Sequence, residues 1–139
     1  MTFLWKTVGS PEPNAEDNPF TDVPEGKYFY KPVLWAVEKG ITCGTTATTF
    51  SPSEPVTRAQ FLTFLWNYAG RPAPGGSTNP YKDVPSDKYF YNPILWGYHG
   101  GILVGNEAVN GNFQPTLGCS RAYVVTYLYR YFTGNELAE

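Results

Sequence analysis

The stretch NPFTDVPEGKYFYKPVLWAVEKGITCG, residues 18–44, is followed 61 residues later by NPYKDVPSDKYFYNPILWGYHGGILVG, residues 79–105. The two copies are identical at 15 of 27 positions without a gap. After a two-residue insertion in the second copy the match resumes, so that 50–52 aligns with 113–115 and Thr57-Arg58-Ala59 aligns with Ser120-Arg121-Ala122. Self-similarity at a fixed period of this length indicates a repeat protein.

The first half of each copy predicts a helix. Pro32 is favoured at a first helical position and Gly40 suits the residue after a helix end, so the first helix is expected between them. Its counterpart is expected from about Pro93 to Gly100. The apolar residues follow helical spacing in both copies: Tyr30, Val33, Leu34, Val37 and Ile41 in one, and Tyr91, Ile94, Leu95, Tyr98 and Ile102 in the other.

The second half of each copy predicts another helix, after a turn-rich loop. Thr57 is a good N-cap residue and has the capping-box spacing to Gln60. Ser120 occupies the same place in the second copy. Each copy is thus a helix-loop-helix unit, and the predicted fold class is all-α.

The beginning of the sequence belongs to the same series. MTFLWKTVGSPEP at 1–13 matches LTFLWNYAGRPAP at 62–74 at seven of 13 positions. We therefore expect the last helix of an incomplete repeat plus a linker at 1–17, followed by whole repeats at 18–78 and 79–139. A start inside a repeat suggests a piece of a longer repeat array.

Composition narrows the class of protein. The chain has 139 residues, is 42% hydrophobic and 16% charged, and carries a net charge of −2. This balance is typical of a folded domain and argues against nucleic-acid binding. No apolar run approaches the roughly 20 residues that span a bilayer, so membrane insertion is not expected.

The order of motifs resembles the S-layer homology repeat of bacterial cell-surface proteins. Each copy contains F/Y-x-D-V, an aromatic-rich helix, G-I-x-x-G, F-x-P and T/S-R-A at a helix start. The resemblance covers 20–70, 81–132 and the repeat tail at 1–9. It implies a pseudo-threefold arrangement of three repeats with the motif-bearing helices at the centre, in which the first repeat is incomplete here.

The resemblance also implies a function. Such domains hold exported proteins non-covalently on secondary cell-wall polysaccharide, outside the cell at the wall or S-layer, and need no cofactor. Grooves between repeats accept a sugar that often carries a pyruvyl ketal, whose carboxylate meets the arginine of a T-R-A-E motif. The glycan-binding positions carried over to this sequence are Arg58, Arg121, Thr57, Ser120 and Gln60. The typical Glu of the motif is replaced by Gln60 and Tyr123, which puts the second site in doubt.

Physical chemistry supports a site for an anion at these helix starts. Free N–H groups and the helix dipole attract negative charge, and a guanidinium adds two parallel donors for a carboxylate. In the other interpretation, Arg58 and Arg121 bridge to Asp22, Asp83 or loop carbonyls and hold repeats together. The two aspartates are themselves expected to have turn or capping roles. A structural or assembly module that contacts other surface-protein chains, without glycan binding, therefore remains the alternative function.

Four tryptophans are the other candidates for contact with sugar. Trp35 and Trp96 lie one position off the main apolar stripe, so they could stack on a sugar face or pack against a neighbouring repeat; packing is favoured. Trp5 and Trp66 lie beside core leucines and are expected to be structural.

Catalytic and metal chemistry find little support. Cys43 aligns with Val104 and Cys119 with Val56, so no disulfide within a repeat is expected and only a bridge between repeats is possible. We expect two unpaired, mostly buried thiols. With two cysteines and a single histidine, His99, at a predicted helix end, neither a zinc site nor a Cys-His pair is indicated. The protein is not expected to be an enzyme.

Overall fold

The computed structural model describes residues 2–14, 17–103 and 111–138, without the side chains of 134–138. Five α-helices form within these ranges: α1 (Thr2–Thr7), α2 (Tyr30–Glu38), α3 (Arg58–Tyr68), α4 (Tyr91–His99) and α5 (Arg121–Ala138). The described residues contain no β-strand, and an isolated bridge joins Thr57 to Gly118. The all-α prediction is confirmed. None of the described helices is long and apolar enough to cross a bilayer.

The helix starts differ from the prediction in the first half of each repeat. α2 and α4 begin two residues before Pro32 and Pro93, which therefore occupy the third helical position. A proline is tolerated there because the first N–H groups of a helix have no partner within the helix. Gly40 has the positive φ of +73° expected for the residue that follows a helix end.

The chain divides into two compact units, Met1–Glu54 and Pro55–Glu139. In the first unit α1 packs against α2. The apolar core of this unit contains Phe20, Val23 and Val33, with Phe50 packed against it.

In the second unit α3 packs against α4. Gly97 permits this close approach, because a Cβ atom there would lie 2.8 Å from Leu62 Cδ1. The boundary between the units separates α2 from α3, so it falls inside the predicted repeat 18–78. The repeat bounds 1–17, 18–78 and 79–139 remain a prediction from internal homology.

One aspartate in each repeat shapes the loop before the second helix. Asp22 accepts hydrogen bonds from the backbone N–H groups of Phe50 at 2.9 Å and Ser51 at 2.7 Å. Asp83 accepts the same pair of bonds from 113–114, each at 2.8 Å. The expected turn role of both aspartates is confirmed.

A hydrogen bond from a tryptophan at the end of the second helix also recurs from repeat to repeat. Trp5 Nε1 donates to the carbonyl of Pro11 at 2.7 Å, and Trp66 Nε1 donates to that of Pro72 at 2.8 Å. Both indoles therefore tie a helix end to the linker that follows it, which confirms their structural role.

Candidate functional site: the two helix starts with a Ser/Thr-Arg-Ala motif

The start of α3 is capped as the sequence predicts. Thr57 Oγ1 accepts from the Gln60 N–H at 3.1 Å, and Gln60 Oε1 accepts from the Thr57 N–H at 2.9 Å. These reciprocal bonds form the capping box. Gln60 replaces an acid without loss of the box, because its amide oxygen accepts the same hydrogen bond.

The next two N–H groups of α3 are occupied by a loop. The N–H of Arg58 donates to the Leu117 carbonyl at 2.9 Å, and that of Ala59 donates to the Pro115 carbonyl at 3.0 Å. The expectation of free donors for an anion is therefore wrong at this helix. A stretch of the second repeat supplies the acceptors instead.

The Arg58 side chain is enclosed by aromatic groups. It is 1% exposed, with its Cζ 4.3 Å from the ring centroid of Phe113 and 4.9 Å from that of Tyr123. Its Nη2 donates to the Tyr127 hydroxyl at 3.2 Å. Ring faces attract cations, so these contacts stabilise the charge and join α3 to the 113–117 loop and to α5.

The start of α5 has the same motif in open surroundings. Ser120, Arg121 and Ala122 are all exposed. Ser120 Oγ accepts from the Tyr123 N–H at 3.3 Å, a single long capping bond. Within the described ranges, no hydrogen-bond acceptor meets the N–H groups of Arg121 and Ala122. An exposed guanidinium and two outward N–H groups can together receive a carboxylate.

The two tryptophans of the first helices both pack within the protein. Trp35 is 3% exposed. Trp96 is half-buried, and its ring centroid lies 5.7 Å from that of Tyr131. The contact of Trp96 is with Tyr131 of its own repeat. Packing of Trp35 and Trp96 against a neighbouring repeat therefore stays a prediction, as does their contact with a sugar.

A pair of exposed tyrosines was not among the binding residues predicted from the sequence. Tyr28 and Tyr89 are equivalent residues in the two repeats, and their exposed fractions are 80% and 62%. Each ring meets the next phenylalanine edge to face, with centroids 5.2 Å apart at Phe29 and 5.1 Å apart at Phe90. Partial burial raises the pKa of the Tyr89 phenol above its ordinary value. The KYFY sequence repeated at 27–30 and 88–91 was the available signal, but only its last tyrosine, Tyr30 or Tyr91, belongs to the helical pattern.

The cysteines and the histidine are the remaining candidates from the sequence. No disulfide joins Cys43 to Cys119. Cys43 is exposed and Cys119 is half-buried, so the expectation of burial is wrong, most clearly for Cys43. His99 is exposed at the end of α4, with a ring nitrogen 3.0 Å from the Thr78 carbonyl oxygen. Among the described side chains, no three of His, Cys, Asp and Glu converge as metal ligands.

Comparison with known proteins identifies relatives of both repeats. The sequence profile of the S-layer homology domain matches residues 19–62 and 80–122. An endoglucanase of Bacillus sp. (strain KSM-635) is 34% identical over 123 residues, which are 86% of this chain and 12% of that protein. A cell surface protein of Thermoanaerobacter kivui is 28% identical over 120 residues, 84% of this chain and 16% of that protein. No solved structure gives a significant match.

Proposed function

Because this chain belongs to the S-layer homology family, we propose that it anchors an exported protein non-covalently to an anionic secondary cell-wall polysaccharide. Membership of the family implies association with the cell surface or cell wall. The match of the profile to both repeats carries the proposal. The chain spans only 12% and 16% of the two relatives, an endoglucanase and a cell surface protein, as expected for a module attached to different larger proteins. We further propose the pseudo-threefold arrangement of repeats for the complete assembly.

Arg121 is the primary anion contact in this proposal. Its guanidinium is exposed beside the outward N–H groups of Arg121 and Ala122, and Ser120 adds a hydroxyl. A pyruvyl carboxylate would receive charge-assisted hydrogen bonds from this group of donors. A carboxylate can reach Arg58 only after the 113–117 loop moves, so Thr57, Arg58 and Gln60 form the secondary site.

Tyr28 and Tyr89 supply the faces for the sugar rings. Each side chain is exposed and is supported by the edge of a neighbouring phenylalanine ring. Tyrosine has few rotatable bonds and a polar hydroxyl, so it stacks on a sugar with little loss of entropy. The wholly buried Trp35 offers no comparable face.

An assembly module without glycan binding is the second candidate. The observation that favours it is the use of Arg58 entirely for contacts inside the protein. If Arg121 also serves a protein contact, the arginines explain cohesion between repeats and no glycan is needed.

Pelleting with purified Gram-positive cell-wall sacculi distinguishes these functions. We expect the protein to pellet with walls that retain the secondary polysaccharide and not with stripped walls. Arg121→Gln should weaken binding about tenfold, because it removes the charged donor pair. Arg71→Gln is the matched control, since Arg71 is an exposed arginine after α3 and away from the two motifs. Equal pelleting with stripped walls, or an effect of Arg71→Gln as large as that of Arg121→Gln, would refute the glycan site.

A further inference from the structure

An open groove lies beside the loop that precedes α5, and all of its lining residues belong to the second unit. Its volume is about 560 Å³, within the range of roughly 300–1,000 Å³ that is usual for small-molecule sites. The lining comes from the 112–117 stretch and from the aspartate that shapes it: Asp83, Asn112, Gln114, Pro115, Thr116 and Leu117. The residues of the two Ser/Thr-Arg-Ala motifs are not among these, so the groove differs from the site described above.

Asp83 provides a rigid carboxylate at this groove. Its two oxygens accept the backbone N–H groups of Phe113 and Gln114, each at 2.8 Å, so the carboxylate is held in one orientation. An ionised carboxylate offers about four acceptor positions, and these bonds use two of them. The other two meet no donor among the described residues, and they remain for a ligand in the groove.

Three polar side chains add donors and acceptors to this carboxylate. Asn112 is half-buried, and Gln114 and Thr116 are exposed. Within the described ranges, none of these three side chains makes a hydrogen bond. An amide or a hydroxyl side chain both donates and accepts, as the hydroxyl groups of a sugar do.

The equivalent side chains of the first repeat bond to one another instead. Thr49 and Ser51 occupy the places of Asn112 and Gln114. Thr45 Oγ1 lies 3.2 Å from Thr49 Oγ1 and 2.8 Å from Ser51 Oγ. These short hydroxyl side chains satisfy one another, so the longer amides without such partners distinguish the second repeat.

The chemistry of the groove favours an uncharged ligand with several hydroxyl groups. No lysine or arginine is among the described lining residues, and the negative charge of Asp83 disfavours an anion. Calcium takes about six to eight oxygen ligands, whereas this groove has one carboxylate, whose oxygens already accept N–H bonds. Adjacent hydroxyl groups of a sugar can donate to both carboxylate oxygens in charge-assisted hydrogen bonds. Leu117, which is 46% exposed, adds an apolar surface for the C–H face of a ring.

We propose that this groove binds one uncharged sugar ring, with two adjacent hydroxyl groups on the Asp83 carboxylate. The side chains of Asn112, Gln114 and Thr116 bond to the other polar groups of the sugar. The inference rests on the proposed function for the source of this sugar, which is a neutral unit of the same polysaccharide. Arg121 contacts a charged unit, so the two contacts together recognise a chain that contains both kinds of unit.

NMR titration of the isotope-labelled protein with the methyl glycosides of glucose, galactose and mannose tests the groove without wall material. These uncharged sugars differ in the orientation of their adjacent hydroxyl groups. We expect at least one of them to shift the side-chain amide signals of Asn112 and Gln114, with a Kd of about 10 mM, since a single ring in an open groove binds weakly.

A double variant removes two of the contacts. Gln114→Gly combined with Thr116→Val should weaken the binding of that sugar at least about fivefold, because two hydrogen-bonding side chains are lost. Glycine suits the φ of 63° at position 114, so the loop keeps its shape. Ser51→Gly combined with Ser53→Val makes the equivalent changes in the first repeat, and this matched control should bind the sugar like the wild type.

Three results would overturn the inference. One is the absence of shifts at Asp83 and 112–117 with all three sugars at about 100 mM, ten times the expected Kd. Another is an equal loss of affinity in the double variant and in its control. The third is that about 5 mM calcium chloride shifts these signals and no sugar does, as expected of a cation site.

Wall pelleting tests the proposed function separately. Pelleting that depends on Arg121, in a protein whose groove binds none of the sugars, would keep the anchoring function and remove this inference. Sugar binding in the groove of a protein that does not pellet with walls would remove the anchoring function and keep the sugar site.

Discussion

The starts of α3 and α5 carry the same motif in opposite surroundings. At α3 two loop carbonyls fill the first N–H groups, and Arg58 lies between the rings of Phe113 and Tyr123. At α5 the equivalent N–H groups and Arg121 face outwards, with one long capping bond from Ser120. The difference arises because the loop at 113–117 supplies carbonyl acceptors to the start of α3, whereas no described residue of its own unit does so at α5.

This comparison separates two roles that one motif can have. A covered arginine is a structural residue whose charge is balanced by ring faces and a tyrosine hydroxyl. An uncovered arginine keeps its donors for a ligand or another chain. The same sequence therefore supports cohesion or recognition, according to whether a neighbouring loop is present.

Replacement of the two arginines should give the largest contrast. Arg58→Ala removes two cation–π contacts and the bond to Tyr127 and leaves a buried cavity, so we expect a loss of about 3 kcal/mol in the free energy of unfolding. Arg121→Ala, at an exposed position, should change it by less than about 0.5 kcal/mol. Urea denaturation followed by tryptophan fluorescence measures both.

Arg58→Met is the matched variant for the first of these effects. Methionine retains much of the buried volume without the charge, so it should recover part of the loss and remain about 1 kcal/mol less stable than the wild type. Equal stability of the Ala variants at 58 and 121 would contradict the difference in burial between them.

The second helices and their caps could be predicted from the sequence because their signals are local. Thr57 and Gln60 lie three residues apart, and the aspartate turns recur at the same place in each repeat. The burial of Arg58 could not be found in this way, since Phe113 and Tyr123 come from a distant segment and arginine is seldom fully buried. The replacement of the usual acid by Tyr123 could have indicated this burial, because an aromatic ring at that position can stack on the guanidinium of Arg58.

The caps of the two helices should differ by a smaller amount. Thr57→Ala breaks a reciprocal capping box and should cost about 1 kcal/mol, whereas Ser120→Ala removes one bond of 3.3 Å and should cost about 0.5 kcal/mol. Thr63→Ala in the interior of α3 is the matched control, with an expected change within about 0.5 kcal/mol. Urea denaturation again gives the values. A larger effect at Ser120 than at Thr57 would mean that α5 is the better capped helix.

The smallest expected effect concerns the loop that begins at Phe50. It is the counterpart, in the first repeat, of the loop at 113–117 that covers the start of α3. The N–H of Phe50 donates to the Asp22 carboxylate and lowers its pKa, partial burial opposes this, and the N–H of Ser51 lowers the pKa further. A lowered folded-state pKa stabilises the fold above the unfolded pKa of about 3.9, and this contribution is lost as the pH falls through the folded value. Asp22→Asn keeps one acceptor and loses the charge, so it should be less stable than the wild type at pH 7.

Unfolding free energies between about pH 2.5 and 7 measure this effect, since that range includes the pKa of a carboxyl group. The variant should lose less stability than the wild type towards the acid end, and Asp87→Asn, an exposed aspartate outside the loop, should follow the wild type. Parallel curves for the wild type and Asp22→Asn would show that the two backbone bonds do not depend on the charge. In that case the matching φ angles of Ser51 and Gln114, 62° and 63°, would have to come from the loop residues themselves.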